Sequence, residues 1–378
     1  MDNVSKINGC ANCGCCVGIC PAGAVSEESD GLFYRVKVNE TRCRDCGECL
    51  KRCPVNDPPL ENRTVSAFVC WSKDKELVAG SSSGGLFGEL SRFVLKNGGV
   101  VFGAAYSEDN KSVVIKSSDV TELEKLQKSK YVESSAGKTF ADVKEALNNG
   151  RKVLFCSTPC QAAGLRSFLG KEYEDLLILD FACGGLPSHN LYRSYIENLE
   201  KRYRSKVALV DFRPKTHGWE RHAILIRFEN GKTYNRLGTE DDYFRTFLYG
   251  KLTVRENCLS CKFSDSHASD ITLADFWRHK ELSPLHNSDG TSLVLCNTKK
   301  GDRYMRAISG RIESAELDAE AVCYNNKKTV PSEKELKKRK EFIDVCNSKG
   351  FNIACAELAP LKLKRTVKSA FARYIYKK

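Results

Sequence analysis

The chain has 378 residues, 41% of them hydrophobic and 29% charged, which supplies a buried core and excludes a disordered polymer. No run approaches the roughly 20 consecutive apolar residues of a membrane-spanning helix, and the opening MDNVSKINGC lacks the basic-then-apolar run of a secretory signal. The formal charge of +12 raises nucleic acid or an anionic surface as a partner. The expected setting is cytoplasmic, where thiols stay reduced, so 19 cysteines point to metal or redox chemistry.

Ten of the 19 cysteines fall between Cys10 and Cys70, and a unit repeats there. Cys10, Cys13, Cys16, Cys20 and Pro21 recur 33 residues later as Cys43, Cys46, Cys49, Cys53 and Pro54, with Gly14 and Gly47 in register. Such a repeat signals two copies of one small unit packed together. Between the copies, LFYRVKV (32–38) alternates like a strand of a small hairpin.

Each copy reads C-x2-C-x2-C-x3-C-P, the bacterial ferredoxin run. Three closely spaced thiolates on a tight loop reach three irons of one cubane, and the fourth, opening the next helix, serves the other. One cluster then takes Cys10, Cys13, Cys16 and Cys53, and the second takes Cys43, Cys46, Cys49 and Cys20. Gly14 and Gly47 let the backbone approach the sulfides, and Pro21 and Pro54 redirect the chain. Zinc also accepts C-x2-C pairs, but its four-ligand site has no use for the third and fourth cysteines of this run. Cys15 is an extra thiol and reads as a bystander.

A polar, proline-bearing linker (56–63) leads into alternating strands and helices. AFVCW (67–71) is a short strand. The turn SSSGG opens a helix with apolar Leu86, Leu90, Phe93 and Val94, closed by Asn97-Gly98-Gly99. VVFGAAY (100–106) is a strand, and Phe140, Val143 and Leu147 mark a helix ending near Gly150. KVLFC (152–156) and LLILDFAC (176–183) are continuous apolar runs, as in strands covered on both faces. AILIRF, ITLADFW and SLVLCN add further strands, giving an α/β body in roughly two halves.

After Pro331 the chain is charge-rich. After Pro360 it carries Lys362, Lys364, Arg365, Lys368, Arg373, Lys377 and Lys378 with no acid, so the positive balance is largely a property of the tail. Leu363, Val367, Ala370, Phe371 and Tyr374 recur at helical spacing. Such a segment serves either as a basic amphipathic helix on an anionic membrane or as a helix docked on the body.

In the body, the turn with Ser82, Ser83, Gly84 and Gly85 reads as a phosphate cradle or as a plain serine cap. Lys130 with Tyr131, and the turn Ser157-Thr158-Pro159, are further candidates, balanced against a solvated lysine and an ordinary strand-to-helix turn. Cys160, Cys183, Cys258 and Cys261 could close a third cubane or a zinc site, or Cys160 and Cys183 could be buried apolar residues. Cys70, Cys156, Cys296, Cys323, Cys346 and Cys355 lack spacing partners and read as inert.

SSSGGLFGEL (81–90), SKYVESSAGKTF (129–140), STPCQAAGLRSFL (157–169) and NCLSCKF with SDITLADFW (257–277) together resemble the family of beta subunits of deazaflavin-coenzyme hydrogenases and dehydrogenases. DFACGGLPS, FRPKTHGW and GTSLVLCNTKKG support it. The resemblance covers about residues 66–301, with the ferredoxin segment fused in front. It implies an iron–sulfur flavoprotein, with FAD held at Ser82, Ser83, Gly84, Gly85, Lys130, Tyr131, Ser157, Thr158 and Pro159. It also favours a third cluster on Cys160, Cys183, Cys258 and Cys261. Relatives pass electrons to a deazaflavin coenzyme or a chlorophyll precursor, and others recur beside polysaccharide-assembly genes. One departure matters: Cys183-Gly184-Gly185 stands where relatives usually carry Cys-His-Gly. His217, His222, His267 and His279 remain as proton carriers, and Asp275-Phe276-Trp277 could line a flavin or simply fill the core.

The expected layout is an α+β ferredoxin-like domain (1–60), an α/β flavoprotein domain (61–325, halves 66–150 and 151–325) and a basic helical C-terminal tail (326–378). The expected function is an oxidoreductase in which 4Fe–4S clusters and FAD exchange electrons to reduce a small organic acceptor. The alternative is a subunit that relays electrons to a partner enzyme. A redox partner protein or reduced ferredoxin is the expected donor. No basic aromatic stripe or binding fold supports nucleic acid.

Overall fold

The 33-residue repeat is written into the backbone. In the structure, a computed structural model describing residues 3–59, 62–119, 121–136, 139–277, 283–320, 322 and 331–360, Asn12 and Asp45 take φ of 53° and 54°, and Gly14 and Gly47 take 89° and 71°. Each thiol loop therefore turns the same left-handed corner before a short helix, α1 (Cys15–Ile19) or α2 (Glu48–Lys51). The fourth cysteine does not open a helix: Cys20 caps the end of α1 in extended conformation, and Cys53 lies beyond α2. The cause is the following proline, which disfavours helical backbone in the residue before it. Between the loops, β1 (Val25–Ser29) and β2 (Tyr34–Val38) form an antiparallel hairpin with Ser29 opposite Tyr34.

The body is built on one nine-stranded mixed sheet. Its strands are β3 (Ser66–Ser72), β4 (Val100–Tyr106), β5 (Val113–Ser118), β6 (Ser134–Ser135), β7 (Val153–Cys156), β8 (Leu176–Phe181), β12 (Ile271–Asp275), β13 (Ser292–Cys296) and β14 (Ile312–Leu317). Their order is β14-β3-β13-β12-β8-β7-β4-β5-β6. The stretches 66–150 and 151–325 thus share a single sheet. At its centre β12, β8, β7 and β4 run parallel, and antiparallel β13, β3 and β14 extend it on one side.

The central strands are apolar on both faces because both are covered. Leu154, Leu177 and Leu179 pack with Leu86, Leu90 and Val94 of α4 (Leu86–Lys96). Val153, Phe155, Leu176 and Ile178 face the other way, onto α6 (Thr139–Asn148) and α7 (Pro159–Leu169). Cys13 and Cys15 of the ferredoxin segment join that second cluster, so the segment is part of the core and not an appendage.

A three-stranded antiparallel sheet of β9 (Val207–Asp211), β10 (Ala223–Phe228) and β11 (Thr233–Leu237) packs with α8 (His189–Tyr203) and the helices Glu333–Lys349 and Phe351–Leu358. His279, Cys323 and the basic tail from Leu361 to Lys378, with the helix and membrane contact expected of it, lie outside the described residues. Among the described residues no helix is long and apolar enough to cross a membrane.

Candidate functional site

The thiol sets come first. Cys16 lies within Coulomb reach of Cys10 and Cys53, and Cys13 of Cys16 and Cys10. Cys49 is likewise near Cys20 and Cys43. The fourth cysteine of each run is therefore brought to the other run's loop. Among the described residues no three His, Cys, Asp or Glu side chains converge on a single-ion site. The sulfurs instead ring a space, as around the small cavity bounded by Cys20, Cys43, Cys46 and Cys49. A ring suits a cubane, whose four irons each take one thiolate. Cys15 lies within Coulomb reach of Cys13 and Cys16 but is already engaged, its thiol donating to the Arg52 carbonyl at 3.2 Å.

Cys160, in the first turn of α7, is raised by burial and further by the neighbouring Cys261, Cys183 and Cys258 thiols. Burial pushes Cys258 up to about 12, with Cys183 the next contributor. Four thiols from three separate segments of the chain therefore share one locality. This set adjoins the first: Cys160 and Cys261 pack with Ala11 and Val55, and Asn257 Nδ2 donates to the Cys10 carbonyl at 2.7 Å.

A cavity of about 380 Å³ opens at the carboxyl ends of β7, β8 and β12, the edge at which open α/β sheets receive ligands. Ser82, Ser83, Gly85, Lys130, Tyr131, Ser157 and Thr158 line it, and Cys183 stands in the same wall. Gly84 and Pro159 do not line it. Gly84 faces the sheet, where a Cβ would sit 2.7 Å from the Cys70 carbonyl oxygen, and its N–H donates to Ser292 Oγ at 2.9 Å. That N–H is unavailable to a phosphate. Pro159 opens α7 behind the Thr158 cap, whose capping box with Gln161 fixes the turn.

Charge at the cavity comes from residues that motif reading missed. Arg213, at the end of β9, is 5% exposed; its Nη1 meets Asp275 at 2.8 Å, and its Nη2 has no hydrogen-bond partner among the described residues. Lys128 pairs with Asp211, and Lys215 Nζ donates to the Ser83 carbonyl at 3.0 Å. Arg213 and Lys215 belong to the FRPKTHGW block, and that basic pair was the signal available in the sequence. Burial holds Lys130 down at about 7 despite nearby Cys156 and Asp211, and its Nζ donates to the Gln127 carbonyl at 2.7 Å.

The remaining candidates divide. Asp275, Trp277 and His222 line the cavity, whereas Phe276 is buried in a separate apolar cluster. Burial takes His222 well below its usual range, with Arg213 adding to the effect. His267 is held by Asp180 at 3.1 Å, and His217 is exposed on a short turn. Cys156, expected to be inert, lines the cavity, while Cys70, Cys296, Cys346 and Cys355 are buried in apolar clusters.

The donor sets suit their groups. Four-thiol rings match cubanes, and a buried guanidinium in the wall of a cavity of this size, with one nitrogen left without a hydrogen-bond partner among the described residues, suits an anionic ligand. A doubled thiol module docked in the core of an α/β body defines an iron–sulfur electron-transfer protein. Residues 150–320 match the family described as Coenzyme F420 hydrogenase/dehydrogenase (C terminus of the beta subunit), and residues 9–57 match the 4Fe-4S dicluster domain.

Among curated proteins, the chain is 25% identical over 183 residues to a subunit of the F(420)H(2) dehydrogenase of Methanosarcina mazei, covering 45% of this chain and 51% of that one. It is 35% identical over 68 residues to the thiosulfate reductase electron transfer subunit PhsB of Salmonella typhi, covering 18% and 34%. It is 38% identical over 47 residues to the pyruvate synthase subunit PorD of Methanocaldococcus jannaschii, covering 12% and 51%. These matches thus span a third to about half of the relatives' own lengths. A chain of the F420-reducing NiFe hydrogenase complex from Methanosarcina barkeri aligns with a TM-score of 0.47 at 15% identity, covering 78% of this chain and 96% of that chain.

Proposed function

We propose that the chain is a reductase that takes electrons in at its ferredoxin-type segment and delivers them to a small organic acceptor in the 380 Å³ cavity. The observation that carries this reading is the wall shared by that cavity and Cys183, one of four clustered thiols. Cys160, Cys183, Cys258 and Cys261 would hold a third 4Fe–4S cluster, and Ser82, Ser83, Gly85, Lys130, Tyr131, Ser157 and Thr158 would hold FAD. Bound there, FAD would accept single electrons and release two as hydride.

The chain's own residues do the rest. Arg213 offers positive charge in the cavity wall, and Lys215, held by the Ser83 carbonyl outside that wall, adds to it near the Ser82–Ser83 turn, fit for a dinucleotide's phosphates. Lys130 carries a proton whose affinity lies near neutrality. Cys46 is exposed, so its face is the natural dock for reduced ferredoxin or another redox partner protein.

A second reading keeps the clusters and omits the substrate: a subunit that relays electrons to a partner enzyme. It is favoured by the likeness to a protein named as an electron transfer subunit. Anaerobic reconstitution with iron, sulfide and FAD separates the two. The reductase reading expects about 12 iron atoms (three cubanes of four) and one FAD per chain. It also expects one cubane's iron to be lost when Cys258 and Cys261 are both changed to Ala. Near eight iron atoms and no retained flavin would leave only the relay.

A further inference from the structure

Where the ferredoxin segment meets the body, an arginine sits with no water around it. Arg255 is 1% exposed, and its backbone leads directly into the turn of Cys258, whose N–H donates to the Arg255 carbonyl at 3.0 Å. One guanidinium nitrogen, Nη2, donates to Glu133 and to the Tyr34 carbonyl. The other two, Nε and Nη1, have no hydrogen-bond partner among the described residues. The Phe33 ring lies 5.3 Å beneath the guanidinium.

Glu133, itself 1% exposed, also accepts from His189 Nδ1 at 3.1 Å and from the Tyr34 N–H at 3.2 Å. Leaving two nitrogens of a charged guanidinium, with three N–H donors, unpaired in a core is costly unless something of opposite sign lies close by. The thiols of Cys10 and Cys258, from two different sets, both lie within the field of this guanidinium.

We propose that Arg255 sets the reduction potentials of the two clusters it stands between, one held by Cys10, Cys13, Cys16 and Cys53 and the other by Cys160, Cys183, Cys258 and Cys261. The second half rests on the third-cluster reading above; the first half does not. A cluster gains one negative charge when reduced. A fixed cation in a low-dielectric site, with N–H donors free for sulfur, stabilises that added charge and raises the potential. Arg255 is not among the charges acting on Cys49 in the remaining set. An electron passing from the surface set inward therefore moves toward the cation, which makes transfer directional. Glu133 tempers the effect and holds the guanidinium in place.

The test is a redox titration followed by electron paramagnetic resonance on the fully reconstituted chain. Removing Arg255 alone strands Glu133, so the informative variant is the pair Arg255→Met with Glu133→Gln. Two of three cluster potentials should become more negative while the third stays put. A shift corresponding to a tenfold change in the reduced-to-oxidised ratio is 59 mV for one electron. Glu133→Gln alone, which keeps the cation and removes the opposing carboxylate, should move the same two potentials the other way. A purely structural pair would alter iron retention in both variants without moving potentials in opposite directions. Unchanged potentials in variants with full iron would overturn the proposal. If the wild type holds only eight irons, the third-cluster reading fails, and a single shifted potential still tests Arg255.

Discussion

Lys130 shows how a single buried amine can make this site sensitive to pH. Its ammonium is lowered from the ordinary 10.5 to about 7, chiefly by burial. Between those values the unfolded chain binds a proton that the folded chain does not, so stability rises as pH increases through that window. Lys215, held at about 8 by burial and by Arg213, acts in the same direction. Wild type should therefore gain on Lys130→Met by at most about 1.4 kcal/mol per pH unit above neutrality, measured as the difference in urea unfolding of the flavin-free proteins. A constant difference across the window would mean that Lys130 keeps its proton. The serines and Lys130 were legible from sequence because turn chemistry is local. Arg213 was not, because its place depends on where β9 ends relative to a sheet in which it has no part. Gly84 misled for the opposite reason: its neighbour across space is the Cys70 backbone, which no local pattern reveals.

At the scale of the element, the ferredoxin repeat was readable from its cysteine spacing and glycine position, but its left-handed corners at Asn12 and Asp45, and the helix ends at Cys20 and before Cys53, were not. Helix α7 is where local rules and packing part. Gly164 lies inside that helix, and replacing an interior glycine by alanine ordinarily stabilises by about 1 kcal/mol. Here the added Cβ would sit 2.9 Å from Cys13 Cβ and 3.0 Å from its Sγ. Gly164→Ala should instead cost about 1–3 kcal/mol through overpacking and selectively loosen the set containing Cys13. Iron per chain and the urea midpoint should both fall. A stabilised variant with full iron would show that the contact yields freely.

For the molecule as a whole, the sequence foretold strands and helices but not their order. The two stretches on either side of residue 150 interleave in one sheet, with β3 lying between β13 and β14. Such pairings join residues more than two hundred positions apart, and alternation along a strand says nothing about which strand comes next to it. The docking of the ferredoxin segment was equally hidden. It depends on Glu133, Arg255, His189 and the Ser29–Tyr34 turn meeting from four separate places: His189 Nε2 reaches Ser29 Oγ at 3.1 Å, and its ring stacks on Tyr34 at 3.8 Å.

Of the twelve cysteines in the three sets, all within the described residues, Cys46 alone is exposed. Oxygen therefore has one easy point of attack, and it is the entrance. Brief exposure to air should strip iron from the set of Cys20, Cys43, Cys46 and Cys49 first, with labelling by a thiol reagent appearing at those positions before any others. On the proposed direction of electron flow, a chain damaged in this way would lose its intake while its interior stayed loaded, and the outermost set would work as a fuse: it would cut the current before oxygen could draw electrons from the buried end.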